Sequence, residues 1–145
     1  MARKGQTWKF KDFESKTTNG RWVRLAEDML KSQAWKQLDA FEQVLYLHMK
    51  NKFRVYQRGE SNERNISFTY REGMELMSKA RFTKSLDKLI EVGFVDLVEH
   101  WRHAKKPTIL GLSARWHDYG TDNFKRQTRS KAKCPYDGGP KRKDG

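Results

Sequence analysis

The chain of 145 residues has few of the features that cross-link a protein or hold it in a membrane. It has one cysteine, Cys134, and therefore forms no internal disulfide, which is consistent with a reducing compartment. No run of 18 apolar residues is present, and the first residues lack the apolar segment of a signal peptide. We therefore expect a cytoplasmic protein that has no membrane as a partner.

Sequence signatures of catalysis are also missing. There is no glycine-rich phosphate loop, no nucleophile motif and no recognisable pair of catalytic carboxylates. His100, His103, His117 and Cys134 could be drawn as a metal site, but a strand and its loop with Arg102 between two ligands is a poor frame for one. We therefore expect that the protein is not an enzyme and that it binds no cofactor and no metal. A nuclease that uses Asp, Glu and a divalent ion stays an alternative, because such sites lack local sequence signatures.

Positive charge is what the chain has in excess. Its 31 Lys and Arg against 18 Asp and Glu give a formal net charge of +13, and only 36% of its residues are hydrophobic. Residues 1–24 carry seven cations and two anions, residues 125–145 carry eight and two, and the middle is nearly balanced. Two basic ends around a near-neutral core indicate a polyanionic partner, although basic tails can also aid solubility or follow an anionic membrane surface.

The pattern of charge and hydrophobicity predicts three regions. Residues 1–25 form a basic N-terminal arm or hairpin, residues 26–120 a folded domain, and residues 121–145 a basic, disordered C-terminal tail. A short helix lies within 27–35, and Asp39 with Glu42 forms a capping box at the start of a longer one. That longer helix is apolar on more than one side, so we expect it to be central and best buried, with His48 as a packed histidine.

The most informative stretch is a helix over 79–92. Phe82, Leu86, Leu89 and Ile90 make an apolar stripe at helical spacing, while Ser78 and Gly93 are suited to its N-cap and C-terminal exit. Its first turns carry cations, where the partial positive charge of a helix N-terminus makes them unfavourable. An anion brought to this end would relieve that repulsion, although ordinary surface lysines on a solvated face are the simpler interpretation.

Short elements surround this helix. Ile66–Phe68 predicts a short strand, and Thr69 with Glu72 caps a short helix that ends just before residue 78. After Gly93, residues 94–100 and 108–112 predict two strands of a hairpin with a basic tip. Trp116 and Tyr119 then supply a last packed turn.

This order of elements resembles the winged helix-turn-helix DNA-binding domain over residues 35–119. The ending Leu89-Ile-Glu-Val-Gly-Phe94 is similar to the exit of a winged-helix recognition helix, and 29–35, 82–94 and 112–116 resemble segments of replication and regulatory proteins from bacterial plasmids and phages. The resemblance implies an α+β, mostly α fold: a three-helix core plus a two- or three-stranded wing, with basic, partly extended arms. It also implies double-stranded DNA as the partner.

The resemblance assigns expected roles to ten residues. Helix 79–92 would enter the major groove, and the acidic Asp87 and Glu91 would limit base reading to its first half. Arg81 and Lys84 would contact guanine, Lys79 and Thr83 flanking bases or phosphates, Lys88 a phosphate, Thr69 and Tyr70 phosphate at the preceding helix, and Arg102, Lys105 and Lys106 the minor groove or phosphates from the wing.

Three functions are compatible with these features. The first is a DNA-binding protein acting in replication or transcriptional control of a mobile element. The second is an RNA- or ribosome-associated basic protein, and the third is a winged helix used for protein contacts, including a homodimer or a replication complex. Helix 79–92 shows no outward aromatic side chain for base stacking, which gives the second less support.

Overall fold

A computed structural model describes residues 20–100 and 108–128 of the chain. These residues form an α+β fold that is mostly helical, with five α-helices and a small antiparallel sheet of three strands. Among them, no helix is long and apolar enough to cross a membrane. The elements are α1 Glu27–Lys31, α2 Gln33–Lys36, α3 Ala40–Lys52, β1 Ile66–Ser67, α4 Tyr70–Leu76, α5 Lys79–Val92, β2 Val95–Glu99 and β3 Ile109–Leu112, with 3-10 turns at Gln57–Gly59 and Arg115–Asp118.

The three predicted helix starts are confirmed. In each, a side-chain oxygen of the capping residue accepts a hydrogen bond from a backbone N–H three residues later, which satisfies one of the unpaired donors of the first turn. These bonds join Asp39 to Glu42 at 3.3 Å, Thr69 to Glu72 at 3.2 Å and Ser78 to Arg81 at 3.2 Å. Local sequence chemistry therefore sets where α3, α4 and α5 begin.

The sheet has the strand order β1-β3-β2, with β3 in the middle. Leu110 of β3 lies opposite Ile66 of β1 on one side and opposite Leu97 of β2 on the other. The predicted hairpin is thus confirmed as β2 and β3, while its basic tip, 101–107, lies outside the described residues. The predicted strand at 66–68 is one residue shorter, and Phe68, which follows it, is buried and stacks on Phe82 with ring centroids 5.7 Å apart.

The core is built on α5, and the expectation that α3 is the best-buried helix is wrong. Phe82, Leu86, Leu89 and Ile90 are at most 4% exposed, as the apolar stripe predicted. In α3 only one face is buried, through Glu42, Leu45, Tyr46 and Met49. The other face is open: Phe41, Val44 and Leu47 are 38 to 45% exposed, and His48 is exposed rather than packed. On this face the Phe41 ring is partly covered by the guanidinium of Arg81 from α5.

An aromatic cluster surrounds the residue at which the chain leaves α5. The ring of Phe94 lies 5.6 Å from that of Trp35, 5.2 Å from that of Tyr46 and 5.9 Å from that of Trp116, measured between centroids. Burial raises the pKa of Tyr46 to about 12. Because these rings come from α2, α3 and the last 3-10 turn, Phe94 joins three parts of the domain.

Gly93 makes this exit possible. Its φ of +100° lies in the left-handed region, and its carbonyl accepts a hydrogen bond from the Trp116 N–H at 3.1 Å. A Cβ on Gly93 would lie 2.8 Å from the Trp116 nitrogen and 2.9 Å from the Arg115 carbonyl carbon, closer than van der Waals contact allows. The C-terminal segment, which begins with the 3-10 turn Arg115–Asp118, therefore packs directly on the backbone of Gly93.

Arg115 joins the end of α5, β2 and the C-terminal segment. Its Nε donates to Asp96 at 2.6 Å, and its Nη2 donates to the carbonyls of Ile90 at 2.8 Å and Val95 at 2.9 Å. Arg64 donates to the other oxygen of Asp96 at 2.7 Å. Burial by itself would raise the pKa of the Asp96 carboxyl, but the hydrogen bonds from Arg64 and Arg115, together with the charge of Arg115, hold that pKa below its ordinary value.

Contacts to Arg115, Tyr119 and β2 continue beyond residue 120. Arg115 Nη1 donates to the carbonyl of Lys125 at 2.8 Å, and the N–H of Leu97 in β2 donates to the side-chain oxygen of Gln127 at 2.9 Å. The ring of Phe124 lies edge-on to that of Tyr119. Gln127 therefore contacts β2, and residues 129–145 lie outside the described part of the chain.

Replacement of Gly93 should separate backbone strain from steric overlap. We expect Gly93→Ala to lower the free energy of unfolding by about 2 to 5 kcal/mol, because a left-handed conformation and overlap with Trp116 add together. Gly120→Ala is the matched control: φ there is +85°, but no atom lies within 4 Å of the added Cβ. It should lower stability by only about 1 to 2 kcal/mol. Equal losses in urea unfolding would contradict the close packing on Gly93.

The Asp96 carboxyl should make stability depend on acid pH. Since its pKa is lowered on folding, the unfolded chain takes up the proton first, and the stabilisation present at neutral pH is lost as pH falls from about 4 through the lowered folded pKa. Asp96→Asn should destabilise the protein at pH 7 and approach the wild type in stability at pH 3. Urea unfolding at both pH values measures this, and a difference independent of pH would contradict it.

Candidate nucleic-acid interface

Helices α4 and α5 form a tightly packed pair. Only Met77 and Ser78 separate them, and the buried Gly73 of α4 faces the ring of Phe82 so closely that a Cβ there would overlap it. A glycine at position 73 therefore permits the close packing of the two helices. Because α5 also packs along α3, its remaining outward face and its N-terminus are the parts left open to a ligand.

Three of the predicted contact residues lie together at one corner of this pair. Thr69 caps α4, Tyr70 is its first residue, and the Nζ of Lys79 lies 5.0 Å from the centre of the Tyr70 ring. The ring of Tyr70 packs edge-on against Phe82 and is still 47% exposed. The corner therefore presents a cation, a phenol and the first N–H groups of α4, all of which can bind a phosphate.

The outward face of α5 forms one wall of a groove of about 640 Å³ whose other wall is the start of α3. Three predicted site residues, Thr83, Lys84 and Lys88, line it, and Lys84 is exposed to solvent. Carboxylates outnumber the lysines in this groove. Its lining residues are Gln37, Asp39, Glu42, Ala80, Thr83, Lys84, Asp87, Lys88 and Glu91.

Arg81 occupies a different place from the one expected. Its Nη2 forms an ion pair with Asp39 and lies 4.0 Å from Glu42 Oε2, while its guanidinium carbon lies 4.2 Å from the centre of the Phe41 ring. Its side chain is only 25% exposed. In this structure the guanidinium thus connects α5 to α3, and a guanine contact by Arg81 would require it to leave Asp39.

A small polar cluster lies beneath this contact. Glu42 is 5% exposed and Ser85 fully buried. Glu42 Oε2, Arg81 Nε and Ser85 Oγ are buried and find no hydrogen-bond partner among the described residues. The nearest positive charge to the buried carboxylate is therefore that of Arg81. Sequence reasoning missed this role because Asp39 and Glu42 were explained by helix capping alone; their spacing carries no signal for a partner 39 residues away.

The predicted wing residues Arg102, Lys105 and Lys106 lie outside the described residues, between the end of β2 at Glu99 and the start of β3 at Ile109. Because β2 and β3 are antiparallel neighbours, β2 ends and β3 begins at the same end of the sheet. The wing contacts therefore stay a prediction.

Comparison of the chain with known protein families, curated proteins and solved structures finds no match.

Replacement of Arg81 should show how much the α3–α5 contact contributes to the free energy of unfolding. We expect Arg81→Ala to lower the free energy of unfolding by about 1 to 3 kcal/mol, because the buried Glu42 carboxylate is left unpaired. Lys84→Ala is the control, because Lys84 lies on the same helix with its side chain exposed. It should change stability by less than about 0.5 kcal/mol. Adding Glu42→Gln to Arg81→Ala should recover part of the loss in urea unfolding. No recovery would contradict a role in compensating Glu42.

Proposed function

We propose that the protein is a winged-helix DNA-binding protein, with α3, α4 and α5 as its three-helix core and α5 as its recognition helix. The arrangement of α4, a two-residue link and α5 against α3, followed directly by the strands β2 and β3, supports this assignment. The single observation that carries it is the open corner formed by Thr69, Tyr70 and Lys79. Lys79 is the first residue of α5, where the helix dipole makes a cation unfavourable unless an anion is bound beside it.

The charges of α5 restrict how it could enter a groove of DNA. Lys79 and Lys84 are exposed on its first half, whereas Asp87 and Glu91 lie on its outward face further along. A phosphate backbone would be attracted to the first half and repelled by the second. We therefore propose that α5 approaches the major groove with its N-terminal end, and that Lys79, Thr83 and Lys84 make its main contacts.

A specific observation also favours the protein-contact alternative. The open face of α3 carries Phe41, Val44 and Leu47, and such a row of apolar side chains is typical of a surface covered by another protein. Self-association through this face would make the protein a homodimer, and measurement of the molar mass in solution tests that directly. Because Arg81, near the start of α5, lies over the Phe41 ring, a partner on this face would also contact that part of α5, and DNA binding by the dimer tests whether the two functions are compatible.

Selection of sites from random duplex DNA, followed by titration over a salt series, tests the proposal. Lys79→Ala and Lys84→Ala should each weaken binding and reduce the slope of log affinity against log salt by about 0.9 if the lysine contacts a phosphate. If Lys84 contacts a base instead, its loss should relax the selected sequence at one position, at about 1 to 3 kcal/mol.

Lys31→Ala is the matched control because it removes the same charge from α1, where Lys31 pairs with Glu27. It should leave both slope and selected sequence unchanged. Equal effects of Lys31→Ala and Lys84→Ala would show that only the total charge of the chain matters, which would contradict α5 as the reading element.

A further inference from the structure

A second groove with a different chemistry lies at the opposite end of α3. It encloses about 470 Å³ between the residues that lead into α1 and the end of α3, a volume suited to a single nucleotide unit. Four cations line it, Arg21, Arg24, Lys50 and Arg54, and none of the described residues that line it is a carboxylate. We call it the Trp22 groove, after the indole on one of its walls. The lining of the α5 groove, in contrast, has four carboxylates against two lysines.

The floor of the Trp22 groove is held in place by hydrogen bonds around the end of α3. Arg54 Nη1 donates to the carbonyl of Asn51 and, at 2.7 Å, to that of Phe53. Asn62 accepts from the Arg54 N–H at 2.7 Å and donates to the carbonyl of Lys52 at 2.8 Å. The last carbonyls of α3 are thus satisfied, so the groove does not present a row of bare acceptors that would repel an anion.

Lys50 adds a partly desolvated ammonium group to the groove. Burial lowers the pKa of Lys50, while the negative charge of Glu63 raises it. Among residues 20–100 and 108–128, its Nζ has neither a hydrogen bond nor an ion pair within 4 Å. A bound phosphate would supply both the charge and the acceptors that this group lacks.

Trp22 supplies a flat apolar surface beside these cations. Its side chain is 45% exposed, and Val23, Phe53 and Val55 line the groove near it. Cations that follow a phosphate backbone next to an exposed aromatic ring are typical of sites for single-stranded nucleic acid, because an unpaired base can stack on the ring. The bases of duplex DNA are already stacked and cannot do so.

We infer that the Trp22 groove binds single-stranded nucleic acid, with phosphates against Arg21, Arg24 and Lys50 and an unpaired base stacked on Trp22. Lys50 and Glu42 are eight residues apart, so the two grooves lie about 12 Å from each other along α3. This site is separate from the α5 surface, and either site can be tested while the other is intact.

The test uses the full chain and a labelled 15-mer of deoxythymidine, with a labelled 20-base-pair duplex for comparison. Trp22→Ala should weaken binding of the 15-mer about 5- to 100-fold, since one stacked base is lost, and should change duplex binding less than two-fold. Trp22→Phe should recover most of the affinity for the 15-mer. Thermal unfolding checks that each variant is folded.

Lys50→Gln gives a second, independent readout. It should reduce the slope of log affinity for the 15-mer against log salt by about 0.7, the value for one phosphate of a single strand, while Trp22→Ala should leave that slope unchanged. Lys31→Gln is the matched control and should leave it unchanged as well. The double variant Lys79→Ala/Lys84→Ala should weaken duplex binding and spare the 15-mer, so failure of the α5 proposal is distinguishable from failure of this one.

Three results would overturn the inference. Equal losses of 15-mer and duplex in Trp22→Ala would show a general effect on the protein. No difference between Trp22→Ala and Trp22→Phe would exclude stacking. Vesicles of phosphatidylglycerol or an acidic peptide whose binding depends on Trp22, with 15-mer binding unaffected, would assign the groove to a different ligand.

Discussion

The left-handed turn at Gly93 is the constraint on which the rest of the domain depends. At this point a helix buried along one whole face must pass into a sheet that packs on the same core, within two residues. Only a residue without a Cβ allows Trp116 to place its backbone nitrogen 3.1 Å from the Gly93 carbonyl. The C-terminal segment closes over the turn, and Phe94 is buried in the aromatic cluster as a result.

Arg115 links the segments on both sides of this turn through hydrogen bonds. One guanidinium binds backbone carbonyls before and after the turn and the carboxylate of Asp96, so the end of α5 and the start of β2 are held at a fixed spacing. Because β3 pairs with β2, the same contacts also help to fix the position of β3 relative to α5.

The sequence predicts the elements well wherever the signal is local. Asp39, Thr69 and Ser78 cap helices because a side-chain oxygen reaches an N–H three residues on, and the stripe of α5 is periodic within a single helix. What it does not predict depends on partners distant in sequence. The open face of α3 carries apolar residues of the kind that a buried face carries, so the sequence does not distinguish the two faces. The packing of the domain is what leaves Phe41 and Val44 exposed.

The site shows the same division between local and distant signals. The cations at the start of α5 are visible in the sequence, but the pairing of Arg81 with Asp39 is not. Nor does the sequence indicate that Trp22, which it placed in a basic arm, lies beside the end of α3. Both depend on contacts between segments that are more than 25 residues apart.

The cations of α5 are placed against the dipole of their helix, whereas those of α3 are placed with it, so an anionic ligand is indicated more strongly by the cations of α5. Helix α3 has Glu42 in its first turn and Lys50 and Lys52 in its last, the order that its own dipole favours. Helix α5 has no acidic residue in its first turn and no basic residue in its last, so its dipole is uncompensated. Asp39 pairs with Arg81 and relieves part of the repulsion, but Lys79 and Lys84 find no carboxylate within 4 Å among the described residues. An anion from outside the chain would therefore stabilise this end of α5, and a phosphate backbone provides a series of them.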